Sequence, residues 1–286
     1  MSLYAQRVLF VAIFARAAFA SASPVIDDGA LERKFTQGLN EPGVVGLSGT
    51  QAFGAVQEAQ GKRVRVPDRL PGGAPVDYQE ACRAVVVVGS IEHCGECDDF
   101  HMGAVSSGWV IDPRGLIATN YHVLEDKDAR EIGVMDSRGK VYPVRRVVAA
   151  DRAGDAAIVE VDTRGSDLVS LSLARGVRTG ERVRVIGHPD GRFYSLTEGI
   201  VSRVFTEAAD DTGQDRRTWM TVTADYGSGS SGAPVLNADG EVVGMVCSTA
   251  ALLAGTEKDK KPGAEDVQMV FRDCVSLPTI RGLLQP

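Results

Sequence analysis

The sequence predicts an all-β protein. Twelve short apolar runs recur after residue 76, turn residues such as Gly, Asp and Pro separate them, and almost no helical periodicity lies between them. Regularly spaced short strands of this kind are typical of a β-sandwich or a β-barrel. The runs that we interpret as strands are 84–91, 103–111, 115–119, 131–135, 141–150, 156–161, 181–187, 194–205, 218–223, 233–236, 241–248 and 267–272.

These strands divide by position into two sets of six. The segment "LARGVRTG" at 173–180 lies between the sets and marks the boundary. After the last strand, residues 274–284 predict a short C-terminal helix, and Pro278 limits it to one that starts near that residue.

Residues 1–23 have the pattern of a secretory signal peptide. Arg7 provides the positive charge, "VLFVAIFA" is a short apolar run, and "AFASAS" offers small residues for cleavage. The alternative, a membrane anchor, is disfavoured because the apolar run is shorter than the roughly 20 residues that span a bilayer. We therefore expect an exported protein, periplasmic or secreted, whose mature chain has no membrane span.

Residues 24–76 contain many Gly, Pro, Gln and charged residues without a sustained period. We interpret them as a poorly ordered leader or propeptide-like segment, with a short helix around 31–37 as the one regular element. The net charge of -7 and the pI near 5.2 argue against a nucleic-acid partner.

Two of the five cysteines stand in the motif "HCGEC". Cys94 and Cys97 are flanked by His93 and His101, so a zinc site and a local disulfide are both possible. Because an exported protein meets oxidising conditions, we favour a Cys94–Cys97 disulfide and predict no metal. The sequence cannot pair the other three cysteines, which are Cys82, Cys247 and Cys274.

The stretch "YGSGSSGAPVLN" at 226–237 is a candidate nucleophile loop. A serine nucleophile needs a tight turn, a base that takes its proton and donors for the developing oxyanion. The glycines of this stretch supply the turn, and the amides of Gly229 and Ser231 could both point at one oxygen. A plain Gly/Ser turn is the alternative reading.

The candidate base and the candidate orienting acid lie upstream of this loop. His122 follows an apolar strand at the start of a turn, and Asp155 immediately precedes the strand 156–161. A surface or core histidine and a turn-capping aspartate are the alternatives. We rank His188 lower as a base, because Pro189 and Gly191 already explain its segment as a turn.

Four motifs together resemble the trypsin-like serine peptidases, in particular the HtrA/DegP-like branch. They are "GWVIDPRGLIATNYHVL", "DRAGDAAIVEV", "IGHPDGRFYSLTEGIVSRV" and "GSGSSGAPVLNADGEVVGM", and the likeness runs from about residue 80 to 273. The resemblance implies a peptidase domain at 77–286, built from two six-stranded antiparallel β-barrels at about 77–175 and 176–273. The active site would lie in the cleft between the barrels.

The resemblance also implies roles for single residues. His122 would be the base, Asp155 the orienting acid and Ser231 the nucleophile, with Gly229 and Ser231 forming the oxyanion hole. The competing nucleophile is Ser230, but the family pattern G-x-S-G selects the serine before the second glycine. Because Ser230 stands where many relatives carry Asp, we expect no trypsin-style zymogen activation.

Substrate preference rests on three further residues. Asp225 stands six residues before Ser231, where trypsin carries the acid that selects Lys and Arg, although a structural role is favoured. Cys247 and Ser248 would line the substrate pocket or sit in a strand interior. Only fourteen residues follow the last strand, too few for the PDZ domain that HtrA-like proteins often carry.

The function that we expect from the sequence is a serine endopeptidase that acts on polypeptides without a cofactor. The main alternative is an exported binding or chaperone-like protein that keeps the fold without useful catalysis. A third reading, an esterase on an α/β-hydrolase fold, is disfavoured because the strands do not alternate with helices.

Overall fold

The computed structural model describes residues 24–67, 77–93, 95, 97, 99–166, 168–253 and 267–285. Its helices are α1 Asp28–Asn40, α2 Gly49–Glu58, α3 Tyr78–Cys82 and α4 Leu277–Gly282. Its strands are β1 Val64–Arg65, β2 Val85–His93, β3 Phe100–Asp112, β4 Leu116–Thr119, β5 Glu131–Met135, β6 Val141–Asp151, β7 Ala156–Val161, β8 Arg182–Gly187, β9 Ser195–Ala208, β10 Arg216–Val222, β11 Pro234–Leu236, β12 Val242–Leu253, β13 Val267–Ser276 and β14 Leu284–Gln285.

The first large sheet has the strand order β2-β3-β4-β7-β6-β5 and closes on itself through the β2–β5 pair. All of its pairs are antiparallel. The four consecutive valines 85–88 at the start of β2 are all buried. A strand covered on both faces reads as a continuous apolar run instead of an alternating one. Helix α1 contributes Phe35 to the same core cluster as Val85 and Val87.

The second large sheet has the order β10-β13-β12-β11-β8-β9, is also antiparallel and closes through the β9–β10 pair. Its interior is filled by small and medium apolar side chains such as Val185, Val201, Met220 and Val235. The mostly β class predicted from the sequence is thus confirmed. Each of the twelve predicted apolar runs corresponds to one strand of these two sheets.

Residues 24–67 differ from the poorly ordered leader that the sequence predicts. Helix α1 begins at Asp27, whose carboxylate accepts a hydrogen bond from the Ala30 amide at 2.9 Å. Helix α2 begins with a capping box between Ser48 and Gln51. The segment is also tied to the end of the chain, because β1 pairs in parallel with β14.

The physical reason for this difference is tertiary packing. Only Phe35 and Leu39 of the thirteen residues of α1 are buried. A helix that buries so few apolar side chains leaves only a weak apolar period in the sequence. Their burial against the first sheet stabilises the helix, as is usual for short helices in proteins.

At the C-terminus, the predicted short helix is present as α4, with Pro278 in its first turn. Residues 1–23, which carry the signal-peptide prediction, lie outside the described residues. In the part of the chain that the structure describes, no helix combines the length and the apolar character needed to cross a membrane.

Candidate active site

Residues 227–232 of the candidate nucleophile loop form a tight turn that contains two glycines in the left-handed region. Gly229 has φ +91° and Gly232 has φ +88°, which side chains other than glycine rarely adopt. Neighbouring backbone also leaves no room for a side chain. A Cβ on Gly229 would lie 2.3 Å from the His188 carbonyl oxygen, and one on Gly232 would lie 2.1 Å from the Ser107 carbonyl oxygen.

This turn separates the two adjacent serines. Ser230 is 1% exposed, whereas Ser231 is only partly buried. The Ser231 hydroxyl donates a hydrogen bond to the Cys247 carbonyl at 3.4 Å. The amides of Gly229 and Ser231 donate to no other described residue, so both are available to a bound oxygen. Of the two serines, Ser231 is the one that a substrate can reach.

His122 and Asp155 are paired. The Asp155 Oδ2 atom lies 2.8 Å from Nδ1 of the His122 ring, and Oδ1 accepts from the His122 backbone amide at 3.0 Å. Asp155 has a positive φ of +49°, and its carbonyl accepts from the Asn120 side-chain amide at 2.9 Å. A non-glycine residue in this conformation is uncommon and requires support from its surroundings.

The pairing affects the protonation of the imidazole. The hydrogen bond to Asp155 raises the pKa of His122 above its ordinary value of 6.5, and partial burial opposes part of the rise. A carboxylate at Nδ1 also fixes the neutral tautomer, since Nδ1 then carries the proton and Nε2 has a free lone pair. The ring is therefore arranged to accept a proton at Nε2.

Cys247 connects these groups in a way that sequence reasoning missed. Its thiol donates to Asp155 Oδ2 at 3.0 Å, and its carbonyl accepts from Ser231. The pKa of the thiol is raised by burial and by the Asp155 charge, so the sulfur keeps its proton and acts as a donor. The sequence left open whether Cys247 lines the substrate pocket or sits in a strand interior. Its position in the register shift between Val246 and Ser248 of β12 turns it toward Asp155.

Comparison with known proteins assigns a family to this arrangement. The model of the trypsin-like peptidase domain matches residues 106–245, a range that contains His122, Asp155 and Ser231. Residues 106–245 thus form a trypsin-like peptidase domain.

The chain is similar to curated HtrA-type and Do-like serine proteases. It is 31% identical over 153 residues to "Protease Do-like 5, chloroplastic" of Arabidopsis thaliana, and 32% identical over 142 residues to "Putative serine protease HhoA" of Synechocystis. It is 30% identical over 142 residues to "Probable periplasmic serine endoprotease DegP-like" of Halomonas elongata. The matches cover 50%, 49% and 50% of this chain but only 47%, 35% and 29% of those relatives.

Asp225, the candidate specificity residue, already has a partner. Its carboxylate forms an ion pair with Arg272 at 2.6 Å, and the Asp225 side chain is 77% exposed. The neighbouring Tyr226 hydroxyl donates to the backbone carbonyl of Ser248 at 3.1 Å. Ser248 itself lies exposed on β12. A solvated carboxylate that is already paired lacks the burial expected of a pocket that selects Lys or Arg.

The cysteine motif is only partly described. Cys94 lies outside the described residues, so the predicted Cys94–Cys97 disulfide stays a prediction. The Cys97 sulfur lies 2.9 Å from Nε2 of His101. Among the described residues, no group of three or more His, Cys, Asp or Glu side chains is arranged to hold a metal ion. Cys82 and Cys274 are buried free thiols.

His188 lies in the interior of the protein. Its ring is fully buried, and Nδ1 accepts from the Tyr194 amide at 3.1 Å. Burial lowers the pKa of His188 to about 4, so the ring stays neutral. The adjacent Asp190 amide donates to the Ser228 carbonyl at 2.7 Å. The "IGHPDG" turn thus holds the nucleophile loop in place through the hydrogen bond from Asp190 to Ser228.

Proposed function

We propose that this chain is a serine endopeptidase that hydrolyses peptide bonds through Ser231, His122 and Asp155. One connected set of hydrogen bonds carries the proposal: Ser231 donates to the Cys247 carbonyl, the Cys247 thiol donates to Asp155, and Asp155 is paired with His122. This set brings a candidate nucleophile, a candidate base and an orienting acid to one place, as an acyl-transfer site requires.

The first half of the proposed reaction forms an acyl-enzyme. Ser231 Oγ attacks the carbonyl carbon of the substrate while Nε2 of His122 takes the hydroxyl proton. The carbonyl oxygen becomes an oxyanion and accepts hydrogen bonds from the amides of Gly229 and Ser231. When the intermediate collapses, the C–N bond breaks and His122 gives its proton to the leaving amine.

The second half returns the enzyme to its starting state. Water attacks the ester carbon and transfers a proton to His122, and the Ser231 oxygen leaves and recovers that proton. Asp155 keeps the imidazole oriented and stabilises the imidazolium in both halves. Asp155 raises the pKa of His122, and a raised pKa favours the charged imidazolium ring that forms twice in each catalytic cycle.

We also propose a two-barrel architecture for the chain and its export from the cytoplasm. We assign the two closed sheets to the two β-barrels of the trypsin-like fold, with the triad at their junction. The signal-like pattern of residues 1–23 and the relative named as periplasmic support export of the chain. N-terminal sequencing of the protein secreted by its natural host tests the export prediction, because an exported chain begins after residue 20.

A fluorophosphonate probe tests the proposed chemistry. Such probes phosphonylate an activated serine, so the wild-type protein should be labelled and should digest casein. The variant Ser231→Ala should lose both activities. Ser230→Ala is the matched control, since the Ser230 hydroxyl is buried beside the nucleophile and has no hydrogen-bond partner among the described residues. Labelling that persists in Ser231→Ala, or that disappears in a folded Ser230→Ala, would contradict the assignment.

A further inference from the structure

We propose that Ser107 is a positioning residue that holds the oxyanion-binding amides of Gly229 and Ser231 in place from the opposite sheet. This inference rests on the proposed function. Ser107 lies on β3 of the first sheet, whereas the nucleophile loop belongs to the second. It is 0% exposed, so a substrate does not reach its hydroxyl.

Ser107 contacts the nucleophile loop at two carbonyls. Its hydroxyl donates to the Gly229 carbonyl at 2.9 Å, and its backbone amide donates to the Ser231 carbonyl at 2.8 Å. These carbonyls belong to the peptide groups on either side of the one that carries the Ser231 amide. Because a peptide group is planar, holding its two neighbours restricts the direction in which that amide points.

The remaining peptide groups of the loop are held from the second sheet. The Ser228 carbonyl, in the peptide group that carries the Gly229 amide, accepts from Asp190 at 2.7 Å. The Ser230 carbonyl, in the peptide group that carries the Ser231 amide, accepts from Ala233 at 2.9 Å. All four successive carbonyls therefore have donors, and Ser107 supplies the two that come from the first sheet.

The surroundings of Ser107 require a hydroxyl. The same oxygen that donates to Gly229 also accepts from the His188 amide at 3.2 Å. Its own carbonyl accepts from the Thr119 hydroxyl at 2.9 Å and lies where any Cβ on Gly232 would collide. A hydroxyl can donate and accept at once, whereas a methyl group at this site leaves the partly buried Gly229 carbonyl and the buried His188 amide without these partners.

We expect Ser107→Ala to weaken stabilisation of the transition state more than it weakens substrate binding. Outright removal of one oxyanion donor lowers kcat roughly 10²–10³-fold in enzymes of this chemistry. Loosening donors that are still present should cost less, so we expect Ser107→Ala to lower kcat about 10- to 100-fold with KM nearly unchanged. The affinity of a peptide trifluoromethyl ketone, whose oxyanion occupies the same site, should fall in proportion to kcat.

Ser90→Ala is the matched control for this experiment. Ser90 is 3% exposed, lies on β2 of the same sheet, and its hydroxyl accepts from the Ala104 amide at 3.1 Å. It contacts no residue of the nucleophile loop in the described hydrogen bonds. Ser90→Ala should therefore lower the melting temperature without lowering kcat or the affinity of the trifluoromethyl ketone.

The measurements are kcat and KM on a peptide amide, inhibitor affinity and melting temperature for the wild type and both variants. A folded Ser107→Ala whose kcat stays within twofold of the wild type would overturn the inference. Equal kcat losses in Ser107→Ala and Ser90→Ala would also overturn it, because they would indicate general destabilisation. If Ser107→Ala does not fold, Ser107→Cys, with its weaker donor, takes its place under the same criterion.

The same experiment separates this inference from the function on which it rests. A wild-type protein that neither cleaves the amide nor reacts with the fluorophosphonate would overturn both. An active wild type with an unaffected Ser107→Ala would overturn only the role of Ser107.

Discussion

Replacement of the buried His188 should remove a defined part of the acid sensitivity of folding. The ring is fully buried, and burial lowers its pKa from 6.5 to about 4, while the backbone of Val86 opposes a smaller part of the shift. In the unfolded chain the ring is solvated and titrates near its ordinary pKa of about 6.5. Between these two pKa values the unfolded state therefore binds more protons than the folded state.

The sign and size of the effect follow from this difference. His188 favours the folded state fully above pH 6.5, and that contribution is lost as the pH falls toward 4. A lowering from 6.5 to about 4, at about 1.36 kcal/mol per pKa unit, corresponds to about 3 kcal/mol. That is a large share of the 5–15 kcal/mol that is typical of whole domains.

The test uses His188→Asn, whose side-chain oxygen can accept from the Tyr194 amide in place of Nδ1. Urea unfolding at pH 7.5, 6, 5 and 4 gives the free energy of unfolding, with Ser231→Ala present in every protein to prevent self-digestion. The variant should lose about 3 kcal/mol less than the parent protein between pH 7.5 and 4. Carboxylates common to both proteins cancel in this difference.

His93→Asn is the control, because His93 is exposed on the surface of the same protein. Its pH dependence should match that of the parent protein. Parallel curves for His188→Asn and the parent protein between pH 6.5 and 4 would refute the reasoning, whatever the offset between them at pH 7.5.

The remaining predictions concern catalysis. The pH profile of kcat/KM should rise through a midpoint above 6.5, because the neutral His122 ring is the proposed base and Asp155 raises its pKa. Asp155→Asn should move the midpoint down, and an unmoved midpoint would exclude His122 as the titrating base. Cys247→Ser keeps a donor to Asp155 and should keep kcat within a few-fold of the wild-type value. Cys247→Val removes the donor to the Asp155 carboxylate and should move the midpoint of the pH profile up. Identical pH profiles for the two variants would contradict a role for the thiol. Asp225→Asn should leave cleavage-site preference in a peptide library unchanged, because the Asp225 side chain is 77% exposed and already paired with Arg272. The substitution should alter stability by less than about 1 kcal/mol, since the Asp225 carboxylate is largely solvated. Lost cleavage after Lys or Arg would contradict this prediction.

The sequence predicted the strands well because their signals are local. Each of the twelve strands is a short apolar run between turn residues, and such runs can be recognised without knowing what they pack against. The nucleophile loop was equally accessible, since Gly229 and Gly232 stand where the backbone requires positive φ. The short helix predicted around 31–37 lies within α1, but its full extent was missed because Phe35 and Leu39 are apolar anchors only in the presence of the first sheet.

The supporting residues of the site were missed for a different reason. In the sequence, Ser107 is one of two serines in an apolar strand, and Cys247 is one of three cysteines that the sequence cannot pair. Their contacts join residues that are 122 and 92 positions apart along the chain. Only the closed sheets bring these pairs together. One signal for Ser107 was available in the sequence: a polar residue at an inward-facing position of a strand indicates a buried hydrogen bond.

The contacts across the two sheets predict that the chain cannot be divided at the boundary between them and keep the proposed activity. Ser107 reaches from the first sheet to the nucleophile loop, and Cys247 reaches from the second sheet to Asp155. A third link joins Arg217 of β10 to Asp151 at the end of β6, with 3.2 Å between Nε and Oδ2. The other carboxylate oxygen of Asp151 accepts from the Gly154 amide in the turn that gives Asp155 its positive φ. Each sheet therefore fixes a part of the site that the other sheet carries, and neither could arrange the nucleophile, the base and the acid alone.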